Sequence, residues 1–96
     1  MKKTYTFTNA NGTFVCFLDY EEEGDFADFL SLVCGKLELE MPQIAETPYS
    51  LVAEFDYGGA RLSAAYSTDA GCHLRIPPNT KMSAQTIVEK CFGLAA

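Results

Sequence analysis

Residues 49–76, YSLVAEFDYGGARLSAAYSTDAGCHLRI, decide the fold, because two turns and one side-chain alternation agree across them. A two-residue hairpin loop needs positive φ, which Gly58-Gly59 supplies without steric cost. With Tyr57 opposite Ala60, the register places Phe55 against Leu62, Ala53 against Ala64 and Leu51 against Tyr66 on an apolar side. Asp56 then faces Arg61, and Glu54 faces Ser63, on the polar side. Asp69-Ala70-Gly71 suits a three-residue loop closing on a left-handed glycine, which sets Thr68 against Cys72, Tyr66 against Leu74 and Ala64 against Ile76. His73 and Arg75 then point to the polar side, into water.

Outward from this meander, residues 3–8 alternate threonine with Tyr5 and Phe7 and read as a half-buried strand. Asn11-Gly12 is a strong hairpin signal leading into a strand over residues 13–19. Phe14, Cys16 and Leu18 share one face of that strand and are placed toward the core. Val15 and Phe17 on the other face are apolar too, so the back of the strand is either covered or an apolar patch for self-association.

After Tyr20 the pattern becomes helical. Phe26, Phe29, Leu30, Val33 and Leu37 fall on one stripe, Asp25 is the expected N-cap, and Asp28 complements the helix dipole. The helix could stop at Gly35; continuation to about Glu40 is favoured, with Pro42 as terminator. Residues 43–48 connect to the meander, and a tyrosine at the rim could flank a small cleft beneath them. Pro77-Pro78-Asn79 breaks the last strand. Ser83 is the expected cap of a second helix with a stripe of Ala84, Ile87, Val88 and Cys91, Met82 its staple and Gly93 its end. The order ββαβββα, with both helices amphipathic, predicts an α+β two-layer sandwich: a mainly antiparallel sheet of about five strands with two helices on one face.

The 96 residues, 48% of them apolar, suffice for one domain, residues 1–96, with a modest core. The longest uncharged apolar run is too short for a membrane span, and the Met1-Lys2-Lys3 start leads into no signal-peptide core, so a cytoplasmic protein is expected. A net charge of -6 disfavours a phosphate backbone as partner and permits a basic protein.

Cys16, Cys34, Cys72 and Cys91 match no zinc or thioredoxin spacing and read as buried thiols. Asp19, Glu21, Glu23 and Gly24 occupy calcium-loop positions, but Leu30 stands where the bidentate glutamate belongs, so no metal site is read. Ser63, His73 and Glu54 can be drawn as a triad. They project from a sheet face without an oxyanion donor pair or a wall against water, so no catalytic residue is assigned. No cofactor is implied either.

The residues thus point to a small binding protein without chemistry of its own, inhibitor- or immunity-like toward a basic protein. It would act through Glu54, Asp56, Arg61, His73 and Arg75, or through the acidic residues Glu21, Glu22, Glu23 and Asp25. The alternative is a homodimer formed through Val15 and Phe17, and a lesser one is a small-molecule binder.

Overall fold

The computed structural model describes residues 4–48, 50–78, 80 and 84–92, and of Phe92 the backbone alone. Lys3, Tyr49, Asn79, Met82, Ser83 and Gly93, and the roles expected of them, lie outside the described residues. The chain runs through β1 (Thr4–Asn9), β2 (Gly12–Phe17), α1 (Phe26–Lys36), β3 (Ala45–Glu46), β4 (Ser50–Tyr57), β5 (Ala60–Ser67), β6 (Gly71–Ile76) and α2 (Ala84–Phe92). All strand pairs are antiparallel, in the order β1-β2-β6-β5-β4-β3. The fold is α+β, with a sheet of six strands where about five were expected. The extra strand is β3, two residues of the connector that pair with Leu51 and Val52. It is held by a turn in which Thr47 N–H donates to Ser50 O (2.8 Å) and Ser50 N–H to Thr47 Oγ1 (2.9 Å).

The β4–β5 hairpin forms as its sequence dictates. Gly58 and Gly59 have φ of 60° and 83°, and every pair from Leu51↔Tyr66 to Tyr57↔Ala60 is the expected one. The β5–β6 hairpin is displaced by two residues from the expected register, with Ser67↔Gly71, Tyr66↔Cys72 and Ala64↔Leu74. Gly71, at φ 65°, is the first residue of β6 and not the tip of the loop. The first hairpin departs in the same way. The chain turns at Ala10-Asn11, and Gly12 begins β2 opposite Asn9 at φ 128°. A Cβ at Gly12 would collide with the carbonyl oxygen of Ile76, so this glycine serves a close backbone approach to β6. Because strand facing has a period of two, neither displacement exchanges the faces within its hairpin.

The N-terminal hairpin does, however, present the opposite face to the helices. β2 pairs with β6 as Val15↔Leu74 and Cys16↔His73, so Val15 joins the Leu74 side. Val15 and Phe17 are 0% and 2% exposed, and the Phe17 ring meets Phe29 of α1 edge-on at 4.9 Å. They are core residues and form no outer contact, which corrects the expected self-association site. Phe14 and Cys16, expected toward the core, lie on the face away from the helices.

Helix α1 buries Phe26, Phe29, Leu30, Val33 and Cys34 against the sheet, the 3.6-residue stripe of its sequence. It lies against β5 and touches α2, which lies over β2. Asp25 holds the N-cap position, but its carboxylate accepts the Glu22 N–H (3.2 Å) and not one from the helix. In α2, Ile87, Val88 and Cys91 are buried as expected.

α1 ends at Lys36, short of the favoured Glu40. Leu39 N–H donates to Cys34 O (2.8 Å) and Glu38 N–H to Gly35 O (3.4 Å), a Schellman closure that satisfies two terminal carbonyls. The left-handed position falls on Glu38, at φ 59°. A side chain there costs about 1–2 kcal/mol of steric energy, against about 0.5–1 kcal/mol of chain entropy that a glycine would lose on folding. Glu38→Gly should therefore stabilise the protein by about 0.5–1 kcal/mol in urea unfolding; a destabilised variant would show that Glu38 makes a contact outweighing its backbone strain.

Candidate functional site

With both helices on one side, the other face of the sheet is open among the described residues, and its side chains form two rows across the strands. Tyr5, Cys16, His73, Ala65 and Val52 are successive neighbours in one row. Phe7, Phe14, Arg75, Ser63 and Glu54 are neighbours in the other. The face divides by chemistry: its β1–β2 third is aromatic and uncharged, and its β4–β5 third is charged.

The aromatic third is already packed within itself. Phe7 stacks on Phe14 with centroids 5.0 Å apart and planes at 12°, Tyr5 sits 6.0 Å from Phe7, and Phe14 sits 5.9 Å from His73. Phe7 and Phe14 are half-buried, and Tyr5 is 55% exposed. The rings therefore pack on one another across the strands while showing water a contiguous apolar surface.

His73 lies on this face as expected but is not wet. Only 9% of it is exposed, because β2 sets Phe14 and Cys16 beside it. Its Nδ1–H donates to Gly71 O (3.0 Å), which fixes the neutral tautomer with Nε2 as acceptor. Burial lowers its pKa, and the Gly71 bond opposes that in part. The Gly71 carbonyl, not Glu54, accepts the Nδ1–H bond that orients the ring. Glu54 is turned to Arg61, Nε to Oε2 at 3.8 Å.

The other expected surface residues are partly committed within the chain. Arg61 also bonds Asp56 (Nη1 to Oδ1, 3.3 Å), and both side chains are more than half exposed, so this pair adds little stability and mainly cancels charge. Arg75 Nε donates to Asn11 O (2.9 Å) and ties the first turn to β6. Glu21, Glu22 and Glu23 are exposed and Asp25 is half-buried. Cys72 N–H donates to Tyr20 O (2.9 Å), which fixes the acidic segment beside the β5–β6 turn. That is the opposite end of the sheet from Asp56 and Arg61, which flank the Gly58-Gly59 turn, so the two expected surfaces are separate. At the acidic end are two open depressions. One of about 250 Å³ is lined by Glu23, Thr47, Pro48, Ser50, Tyr66 and Thr68, at the expected cleft under the connector; one of about 320 Å³ lies between Glu21 and the turn.

All four cysteines are free and buried, Cys16 on the open face and the others in the core. Burial pushes the Cys72 thiol up to about 12, helped by Asp25, and the Cys91 thiol up to about 11 against the pull of Lys36. Among the described residues no three histidine, cysteine or acidic side chains gather to hold a metal, and no helix is long and apolar enough to cross a membrane. Comparison with known proteins returned no match: no family model fits the chain, and no curated protein or solved structure is significantly similar to it.

The aromatic third was missed in the sequence, although residues 13–17 signal it by being apolar on both faces. Which face is covered depends on pairing with β6, a strand some sixty residues away.

The pKa of His73 gives a test of its environment. Its folded value lies below the unfolded one of about 6.5, so on acidification the unfolded chain takes up the proton first. The associated stability is complete above about pH 6.5 and is lost as pH falls toward the folded pKa. His73→Gln should flatten the decline of the urea midpoint between about pH 7.5 and 5.5; equal slopes in both proteins would mean that the imidazole titrates as a free one.

Proposed function

We propose that this protein is a non-catalytic binding module whose working surface is the open face of the sheet and whose ligand is another protein. One observation carries the reading: Tyr5, Phe7 and Phe14 form a packed aromatic patch on the face that no described helix covers. Aromatic side chains held in place supply contact area at low entropic cost, and such anchors at the centre of an interface provide most of its binding energy. The charged third beside it sets orientation, since a partner must meet the Glu54, Asp56 and Arg61 array with matching charges.

The exposed Glu21, Glu22 and Glu23 and the net charge of -6 favour a partner whose rim is basic. Inhibition by occlusion, as an inhibitor- or immunity-type protein performs it, needs no more than this. Four free thiols fit a reducing, cytoplasmic setting.

A photo-reactive phenylalanine at position 7 of the full chain, illuminated in extract of the source cell, should capture the partner, whereas one at Gln85 on α2 should not. Phe14→Lys should then weaken binding of the captured partner about 30-fold or more, the scale of a central anchor. Equal capture from both positions, or an affinity indifferent to Phe14→Lys, would refute the reading.

A further inference from the structure

The two edges of the sheet are built differently. At one, β3 is two residues long, ends on Glu46 and lies between Pro42 and Pro48, which blunts it against pairing. At the other, β1 runs six residues, TYTFTN, with no charge and no proline, in unbroken register with β2 from Thr4↔Phe17 to Asn9↔Gly12. Among the described residues no strand pairs with its outer side. An edge of this kind leaves alternate N–H and C=O groups directed at solvent and is a template for another strand.

The sequence of β1 says which strand. Thr4, Tyr5, Thr6, Phe7 and Thr8 read chemically the same in both directions about Thr6: an aromatic ring one residue away on each side, a threonine two away. We propose that β1 pairs antiparallel with β1 of a second copy about a two-fold axis at Thr6, joining two six-stranded sheets into one. Thr6 then faces its own counterpart, Tyr5 faces Phe7 of the second copy, and Thr4 faces Thr8. Aromatic pairs and threonine pairs are both favourable across antiparallel strands. A two-fold axis normal to the sheet permits only registers displaced by even steps, and a displacement of two keeps one aromatic pair, Phe7 on Phe7 or Tyr5 on Tyr5, where the proposed register makes two; in one direction it sets Tyr5 against Asn9.

Charge agrees with this arrangement. β2 ends opposite Thr4, so the acidic segment that follows it lies at the Thr4 end of β1. Antiparallel pairing sets that end beside the Thr8 end of the second copy, and the two acidic segments occupy opposite corners of the joint sheet, where parallel pairing would abut them. Both open faces lie on one side, and Tyr5 and Phe7 of the two copies join the Phe7–Phe14 stacks into one band. An edge contact is small, so dimer formation is concentration-dependent.

The inference stands on the edge strand and not on the partner reading above, and the test separates them. Sedimentation velocity of the full chain over a concentration series should show a species of twice 10.5 kDa. Thr6 is exposed, so Thr6→Lys and Thr6→Glu should fold with an unchanged circular dichroism spectrum. Each alone should be monomeric, because like charges meet at the axis, and an equimolar mixture should restore a heterodimer. Phe14→Lys should remain dimeric while losing the captured partner. A wild-type chain that is monomeric throughout, a dimer indifferent to Thr6→Lys, or a mixture that stays monomeric would overturn the proposal.

Discussion

The pairing of β2 with β6, Val15 beside Leu74, is the contact on which the rest of the molecule depends. Among the described residues it is the one strand pairing between the N-terminal hairpin and the meander, and it decides which side of that hairpin the helices cover. β2 is apolar on both faces and does not decide this by itself. The choice falls to its neighbours: Leu74 and Ile76 already face the helices, and Phe29 offers an edge-on contact to Phe17. Removing a side chain of that size from water stabilises by about 1.5–3 kcal/mol, and full burial goes to Phe17 while Phe14 stays half-covered. The aromatic patch on the open face is the counterpart of that choice.

What could be read in the sequence was local. The β4–β5 register follows from Gly58-Gly59 and one alternation, and the α1 and α2 stripes follow from the spacing of Phe26, Phe29, Leu30 and Val33 and of Ile87, Val88 and Cys91. The two misplaced registers share one cause. In each, a glycine with positive φ begins the strand after a turn made of other residues, Ala10-Asn11 before Gly12 and residues 68–70 before Gly71. Counting the glycine as a loop residue, when it is the first paired residue of the strand, displaces the pairing by two and leaves the facings within each hairpin untouched. β3 carried no signal because two residues have no periodicity; it exists through the Thr47 and Ser50 turn. The burial of His73 was illegible for the reason that the aromatic third was: both come from β2 lying beside β6.

The charges expected to act on a partner are largely answered inside the chain. Arg61 faces Glu54 and Asp56, Arg75 holds the Asn11 carbonyl, and His73 holds the carbonyl of Gly71. The segment with Glu21, Glu22 and Glu23 keeps its charge in solvent, at the far end of the sheet. The charged third of the open face is thus largely neutralised within the chain, and its aromatic third keeps exposed ring surface.

Proton–proton nuclear Overhauser contacts between β2 and β6 in the labelled full chain report this pairing without intermediary. Cross-strand contacts joining Val15 with Leu74 and Cys16 with His73, together with ring contacts from Phe17 to Phe29, are the predicted result. Side-chain contacts joining Phe14 or Cys16 with Leu74, or the Phe14 ring with Phe29, would set the hairpin over by one residue and turn its aromatic face inward, the opposite of the pairing described.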